Sequence, residues 1–396
     1  MADHPLDKET TTVKTTRYPA AWTVLGALAL ALLGATPAPA QDTIKVGLID
    51  PLTGGSSFYG QSLLRGAQLA VDEANARGGV LGKKIELVVE DDRSLPADGT
   101  SAAIKLITRD NVVAILGTFN SSVSLAVGDV ARRYGVAQII TSAVADPITD
   151  KNDPAKPWVF RASSRSSDQA VAIVGYLADV RKVKNTVLLE DATDFGVGCG
   201  TEVKKEAERR GIKILGTERF NPGESNFYSV ITKLRAMAPE SVVICGLITE
   251  GAQILRQSQD FGFKSTFIGN TAFNNDKLLE LAKDAAEGMV ANATYEATSK
   301  RAAAREFTEK YRAKFGEFPQ YTAAQGYDAA LVLVDAIKRA GSTDREKIRE
   351  ALQATKNLSR VESGPLTFDA KGQAKDFKFS YVQFKGAKRV LIYEPE

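Results

Sequence analysis

From residue 44 onward the chain alternates short, mainly apolar runs with longer segments whose apolar residues recur at helical spacing. The runs 44–49 (IKVGLI), 85–90 (IELVVE), 112–116 (VVAIL) and 137–141 (AQIIT) have the length and β-branched content of strands. Between them, Leu63, Ala67, Ala70, Val71 and Ala74 share one helical face, as do Val123, Ala126, Val127, Val130 and Ala131. Apolar strands separated by amphipathic helices need cover on both faces, and parallel neighbours need a long crossover. The pattern predicts an α/β fold made of βαβ units, with helices on both sides of a parallel sheet.

The rhythm pauses over 146–167, a polar stretch with Pro147, Pro154 and Pro157, and then starts again. Ala170, Val171, Val174, Leu177 and Ala178 form a helical face; strands are expected at 186–189, 212–217 and 241–245, and helices at about 198–210, 225–237 and 251–261. A second sheet of similar build follows. After the apolar run 289–293, helical segments at 302–315, 322–340 and 345–354 precede strand-like runs at 365–368, 377–384 and 389–393. Those late helices must cover one of the two sheets, so the chain is expected to cross between domains more than once.

Residues 20–34 (AAWTVLGALALALLG) are uncharged and apolar, with Lys14 and Arg17 before them and Ala38-Pro39-Ala40 after. This has the form of a secretory signal peptide, shorter than the ~20 residues needed to span a bilayer. Cleavage after Ala40 would leave Gln41 first, not a lipid-accepting cysteine, so a free periplasmic protein is expected, with two domains of ~100–200 residues each.

The only histidine is His4 and the only cysteines are Cys199 and Cys245. A Ser-His-Asp or Cys-His nucleophile, a histidine base and His- or Cys-rich zinc sites are therefore excluded. The net charge of +3 implies no nucleic-acid footprint. In an oxidising compartment the two cysteines are either a disulfide or, as the plainer reading, two inert buried thiols, since 46 positions of separation carry no motif.

In open parallel sheets ligands sit beyond the carboxyl ends of the strands, beside helix N-termini. The loop GTFNSS (117–122) follows a strand and leads into a helix, so Ser121 and Ser122 either cap that helix or hold a carboxylate there. The glycine cluster at Gly196, Gly198 and Gly200 lacks the third dinucleotide-loop glycine, with Thr201 in its place, and no GxxxxGK[ST] occurs. Glu90, Asp91, Asp92, Glu190 and Asp191 end strands without calcium-loop spacing and read as solvated strand ends. Phe58, Tyr59, Phe119, Trp158, Phe195, Phe273 and Tyr321 lie in or beside loops, as the apolar contacts of a small-molecule cleft would.

Residues 44–94 (IKVGLIDPLTGGSSFYGQSLLRGAQLAVDEANARGGVLGKKIELVVEDDRS) resemble the periplasmic binding proteins of branched-chain amino acid ABC transporters, and the likeness resumes at 241–269 and 363–379. The resemblance implies two Rossmann-like lobes, a type I periplasmic binding protein, joined by three crossovers near 161–164, 289–295 and 365–377. It divides the chain into a signal peptide 1–40, a first lobe 41–162 plus 294–365, and a second lobe 163–293 plus 366–396. Carried onto this sequence, the family pocket implies Tyr59 as the first-loop aromatic, Asn120, Ser121 and Ser122 at the carboxylate, Ala143, Val144 and Ala145 as a backbone wall, Phe195 as the second-lobe aromatic, and Leu247, Thr271 and Tyr321 around the body of the ligand.

Three positions depart from the family's amino acid binders, which place Thr at the position of Ala145, an aromatic near Leu247 and an ammonium-binding acid near Thr271. The family disulfide is also missing, with Ser94 and Asn120 near its cysteine positions. A buried ammonium without a carboxylate is costly, so an α-amino acid fits only where another acid, such as Glu250, substitutes. The expectation is a solute receptor that makes and breaks no bond, with no cofactor or metal. It acts as a monomer with an inner-membrane ABC permease and ATPase. Its ligand is a carboxylate with an aromatic, branched or aliphatic body, with branched-chain amino acids as the alternative. A periplasmic sensor and an enzyme using Glu90, Asp91 or Asp92 are the rival readings.

Overall fold

Strands β1 (Ile44–Asp50), β2 (Ile85–Asp91), β3 (Ala114–Leu116), β4 (Ala137–Ile140) and β5 (Val159–Arg161) form a five-stranded parallel sheet in the order β2-β1-β3-β4-β5 in the computed structural model, which describes residues 1, 10–15 and 42–395. Helices α1 (Ser57–Ala76), α2 (Pro96–Thr108), α3 (Ser121–Tyr134) and the short α4 (Pro147–Asp150) connect them. The interior of β1 is buried nearly end to end, as a strand covered on both faces must be.

A second sheet holds seven strands in the order β12-β11-β10-β9-β8-β6-β7. Its elements are α5 (Ser166–Gly175), β6 (Asn185–Asp191), α6 (Asp194–Arg209), β7 (Lys213–Phe220), α7 (Tyr228–Met237), β8 (Ser241–Cys245), α8 (Ile248–Asp260), β9 (Thr266–Gly269), α9 (Lys277–Ala282) and β10 (Val290–Ala293). Then come α10 (Ala302–Phe315), α11 (Tyr321–Ala340), α12 (Arg345–Gln353), β11 (Ser380–Lys385) and β12 (Lys388–Tyr393). Strands β6 to β10 are parallel and repeat the order of β1 to β5; β11 and β12 add an antiparallel extension beside β10. In each half the order reverses beside the first strand, between β1 and β3 and between β6 and β8, which leaves a crevice at the carboxyl ends.

The late helices return to the first sheet. Gly66 of α1 and Gly326 of α11 bring the two helices together backbone to backbone: a Cβ at Gly66 would stand 1.9 Å from the Ala323 carbonyl oxygen, and one at Gly326 would stand 2.1 Å from that of Leu63. Each mid-helix glycine costs about 1 kcal/mol of helix propensity, offset here by the close contact. Lys310 and Lys314 of α10 pair with Glu73 and Asp72 of α1.

The chain passes between the two sheets at 162–165, at 294–301 and before Ser380. Residues 366–374, expected with the second lobe, instead lie beside the first sheet. Gln373 bridges Arg161, Leu366 bridges Leu358, and the Phe368 ring meets that of Phe160 at 5.3 Å. The run 365–368 is thus no sheet strand. The pause at 146–167 contains β5, which lies just after Pro154 and Pro157 among polar residues, and β9 is a further strand that the sequence pattern does not mark. Cys199 of α6 and Cys245 of β8 are bonded as a disulfide, so the thiol reading is replaced. The expected leader lies outside the described residues apart from 1 and 10–15; among the described residues no helix is long and apolar enough to cross a membrane.

Candidate functional site

A cavity of about 370 Å³ lies where the carboxyl ends of both sheets meet, within the range of small-molecule sites. Its walls come from the loops after β1, β2, β3 and β4 on one side and after β6, β7, β8 and β9 on the other. The rule that loops after parallel strands carry the ligand therefore located both walls.

On the first-sheet side β3 runs into Gly117, whose φ of +129° and 2.1 Å approach of a would-be Cβ to the Ile49 carbonyl oxygen admit only glycine. Helix α3 then begins at Ser121, aiming its first N–H groups, which have no intrahelical acceptors, at the cavity edge. Asn120 precedes the helix but makes no side-chain cap, so neither serine serves as the cap; both are first-turn residues. Ser121 Oγ accepts the Ala145 N–H at 3.2 Å, which leaves its own hydroxyl proton to donate.

The 143–145 wall is held from behind. Arg161, fully buried, donates to the carbonyls of Ala145 at 2.8 Å and Ala143 at 3.4 Å, and burial pushes its guanidinium down to about 10. The Ala143 N–H goes to the Thr118 carbonyl at 3.2 Å, and the Val144 carbonyl accepts from the Ser166 N–H at 2.8 Å. Of the backbone groups at 143–145, the Val144 N–H alone is without an acceptor among the described residues. Ala145 itself does not line the cavity, contrary to expectation; with both polar groups tied to Ser121 and Arg161 it braces the wall.

Aromatic rings close one flank. Tyr59 stacks on Phe119 with centroids 4.3 Å apart and meets the edge of Tyr321 at 6.4 Å. The Tyr59 hydroxyl donates to the Ala272 carbonyl at 3.2 Å, from the first-sheet side to the second, and burial holds its phenol well above the usual range. Phe195 sits in the first turn of α6, a helix that begins four residues earlier than its expected start at Gly198.

The second-sheet wall carries buried charge, from Asp191, expected as a solvated strand end, and from Glu250, expected as a substitute acid for an ammonium. Asp191 ends β6 and is buried; it accepts from the Thr193 N–H at 3.0 Å, the Gly196 N–H at 3.2 Å and the Thr193 hydroxyl. Burial pushes its carboxyl up, against the pull of those bonds, and the Glu250 charge adds to the rise. Glu250, in the first turn of α8, is also buried and accepts the Gly223 N–H at 2.7 Å. Thr271 and Leu247 lie on this wall, where Asn270 ties the β8 and β9 loops by donating to the Gly246 carbonyl at 3.1 Å. Asn120, Ser122, Ala143, Val144 and Tyr321 line the cavity, and Ser142, Gln169, Thr193 and Gln325, which the sequence does not single out, join them.

A cavity between the carboxyl ends of two like-ordered parallel sheets, reached by three passages of chain, is the architecture of one group of receptors, and a family model for periplasmic binding proteins matches residues 43–388. The chain is a periplasmic binding protein. It belongs to the type I, branched-chain amino acid group of that family, whose members are the solute-binding components of ABC importers. It is 33% identical over 368 residues, 92% of its own length and 96% of the relative's, to the leucine-, isoleucine-, valine-, threonine-, and alanine-binding protein of Pseudomonas aeruginosa. A crystal structure of the branched-chain amino acid transporter substrate-binding protein LivJ of Streptococcus pneumoniae, in complex with isoleucine, is 29% identical. It superposes with a TM-score of 0.81 over 88% of this chain and 98% of that one. The fold is shared with a solute-binding protein of R. palustris in complex with benzoate, at 24% identity and a TM-score of 0.80 over 89% and 96% of the two chains.

Proposed function

We propose that this periplasmic binding protein captures an α-amino acid with an apolar side chain, of the leucine, isoleucine or valine kind, for import. The observation that carries the reading is the opposition of charge across the cavity. The N-terminus of α3, with Ser121 and the Val144 N–H, faces a wall bearing the buried Asp191 and Glu250. A zwitterion matches both walls, its carboxylate at the helix end and its ammonium at the acids, with its side chain against Tyr59, Phe119, Phe195 and Leu247. The absence of an acid at Thr271 thus loses its force, because Glu250 and Asp191 stand on the same wall. The names of the Pseudomonas and Streptococcus proteins support the same ligand class.

The site residues act as follows in this reading. Ser121, Ser122 and Val144 hold the carboxylate, with Asn120 and Ala143 shaping the turn; Glu250 and Asp191 hold the ammonium; Tyr59, Phe195, Leu247, Thr271 and Tyr321 enclose the body. The two sheets with their helices are lobes, the first 43–162 with 294–374 and the second 163–293 with 375–395, and the ligand favours closure because it touches both. Micromolar binding needs about −8 kcal/mol, within reach of several charge-assisted hydrogen bonds and a buried apolar body after ordering costs. The receptor is exported by its leader, works as a monomer in the periplasm, delivers its ligand to a permease and ATPase at the inner membrane, and catalyses nothing.

A second reading, a carboxylic acid without an ammonium, is favoured by the protein's own donors to the two acids, with Thr193 and Gly196 on Asp191 and Gly223 on Glu250. A thermal-shift and calorimetric panel decides: leucine, isoleucine and valine against 4-methylpentanoate and benzoate, since a ligand well above its Kd raises Tm. Stabilisation by the amino acids is expected; stabilisation by the deaminated acids alone refutes the proposal.

A further inference from the structure

Two wall residues lead away from the cavity. Ser142 donates its hydroxyl to Gln325 Oε1 at 2.6 Å, and Gln325 donates Nε2 to Glu362 Oε1 at 3.1 Å. The same carboxylate oxygen accepts the hydroxyl of Thr294, the first residue after β10 and the start of the 294–301 passage. All four side chains are buried, with Glu362 only 1% exposed, and Glu362 Oε2 has no hydrogen-bond partner among the described residues. A buried carboxylate with half of its acceptor capacity unused is costly, so packing alone does not account for it.

Around Glu362 the passages are tied together. Its own N–H and that of Val361 donate to Asp328 at 2.9 and 2.7 Å, and the Ser363 N–H donates to the Thr294 carbonyl at 3.1 Å. Arg360 donates to the carbonyls of Ala162 in the first passage, Ser363 and Gly364, each at 2.9 Å, and to Lys375 at the third passage at 3.4 Å. Arg301 donates to the carbonyls of Thr294 at 3.2 Å and Val361 at 3.0 Å. Residues 360–364 therefore bond to all three passages at once, while Gln325 touches both this node and the ligand cavity.

We infer that Glu362 is a positioning residue that couples the occupied cavity to the three passages, through Gln325 and Ser142 on the wall and Thr294 and Arg360 at the node. The inference rests on the proposed lobe closure. A ligand that fixes Ser142 and Gln325 fixes one end of the relay, which holds Thr294 and the 360–364 segment in the closed arrangement. Thr294 is the first residue after β10, where the chain leaves the second lobe, so lobe rotation changes the backbone directly beside its bond to Glu362.

The test uses the full secreted chain. Gln325→Met and Glu362→Met delete links without large changes of volume; Glu362→Gln keeps one oxygen able to accept from both Gln325 and Thr294 and serves as the rescue. In ligand-free protein, hydrogen exchange at 294–301 and 360–364 is expected to speed up about tenfold in both Met variants, as loss of a buried hydrogen bond implies, with β6 and β8 unaffected. Leucine dissociation, followed by stopped flow, is expected to accelerate by about the same factor with association unchanged, and Glu362→Gln to stay near the parent protein in both measurements. The inference is overturned if Gln325→Met leaves exchange in the passages unchanged, or if Glu362→Gln behaves as Glu362→Met. Failure of the parent protein to bind leucine would instead strike the ligand assignment, and the ligand-free exchange comparison would still decide the relay.

Discussion

Replacing Glu250 with glutamine separates an ammonium site from a packing prop. The substitution keeps the volume and leaves an oxygen to accept the Gly223 N–H, so the loop after β7 stays anchored while the negative charge disappears. Removing one partner of a buried, hydrogen-bonded charge pair costs 2–5 kcal/mol as a rule, roughly. Asp191, which remains on the same wall, places this case at the low end. A loss of about 2–3 kcal/mol converts, at 1.4 kcal/mol per decade, to leucine binding weakened about 30- to 150-fold. The comparison ligand is 4-methylpentanoate, which has the same carboxylate and side chain without the ammonium; its affinity should hold or rise. Isothermal titration of both ligands, with circular dichroism to establish folding, measures the difference directly. Equal weakening of the two would make Glu250 a structural support of the Gly223 loop, and an unchanged leucine affinity would put the ammonium elsewhere.

Ser121→Ala removes a hydroxyl donor from the carboxylate and strips the Ala145 N–H of its acceptor. Calorimetry should show leucine and 4-methylpentanoate weakening together by about 10- to 100-fold, at 1.5–3 kcal/mol for a bond to a charged group. The double variant Cys199→Ala with Cys245→Ala frees a tether between α6 and β8, and urea unfolding should report a loss of about 2–4 kcal/mol; an unchanged midpoint would make the disulfide idle. Asp92, buried behind the cavity loops, has its carboxyl pushed up to about 7 by burial, against a usual value of 3.8. The folded protein therefore keeps a proton there that the unfolded chain releases, and this group lowers stability as pH rises from about 4 to 7. Asp92→Asn should flatten that slope in urea titrations at pH 5 and 8 and stabilise the protein at the higher pH; an unchanged slope would refute the shift.

Strand and helix periods were enough to find two sheets, because a strand buried on both faces must be apolar throughout and its crossover helix must be amphipathic. Length did not decide which strands escaped, since β3 is as short as β5: the prolines and polar residues around β5 hid it in the pause at 146–167, and with it the edge of the first sheet. The equal strand order of the two halves left no trace as a repeat, since order depends on which strands pair and not on local pattern.

The sequence by itself determined the chemistry available: one histidine and two cysteines withheld the common nucleophiles and zinc ligands, and serines at a strand-to-helix turn supplied anion donors. It also determined where a site must lie, at the carboxyl ends of parallel strands. Only the tertiary structure decided which residues meet there. Asp191 and Glu250 come from different loops: Asp191 reads as a solvated strand end and Glu250 as a candidate ammonium partner, and only the pairing of β6 with β8 sets the two on one wall. Ala145 is one residue from the wall yet turned to its brace, and Cys199 reaches Cys245 across 46 positions. Local sequence encodes propensity and burial through short-range sterics and solvation. Contacts between distant segments are set by the packing of whole elements, which no short window of residues contains.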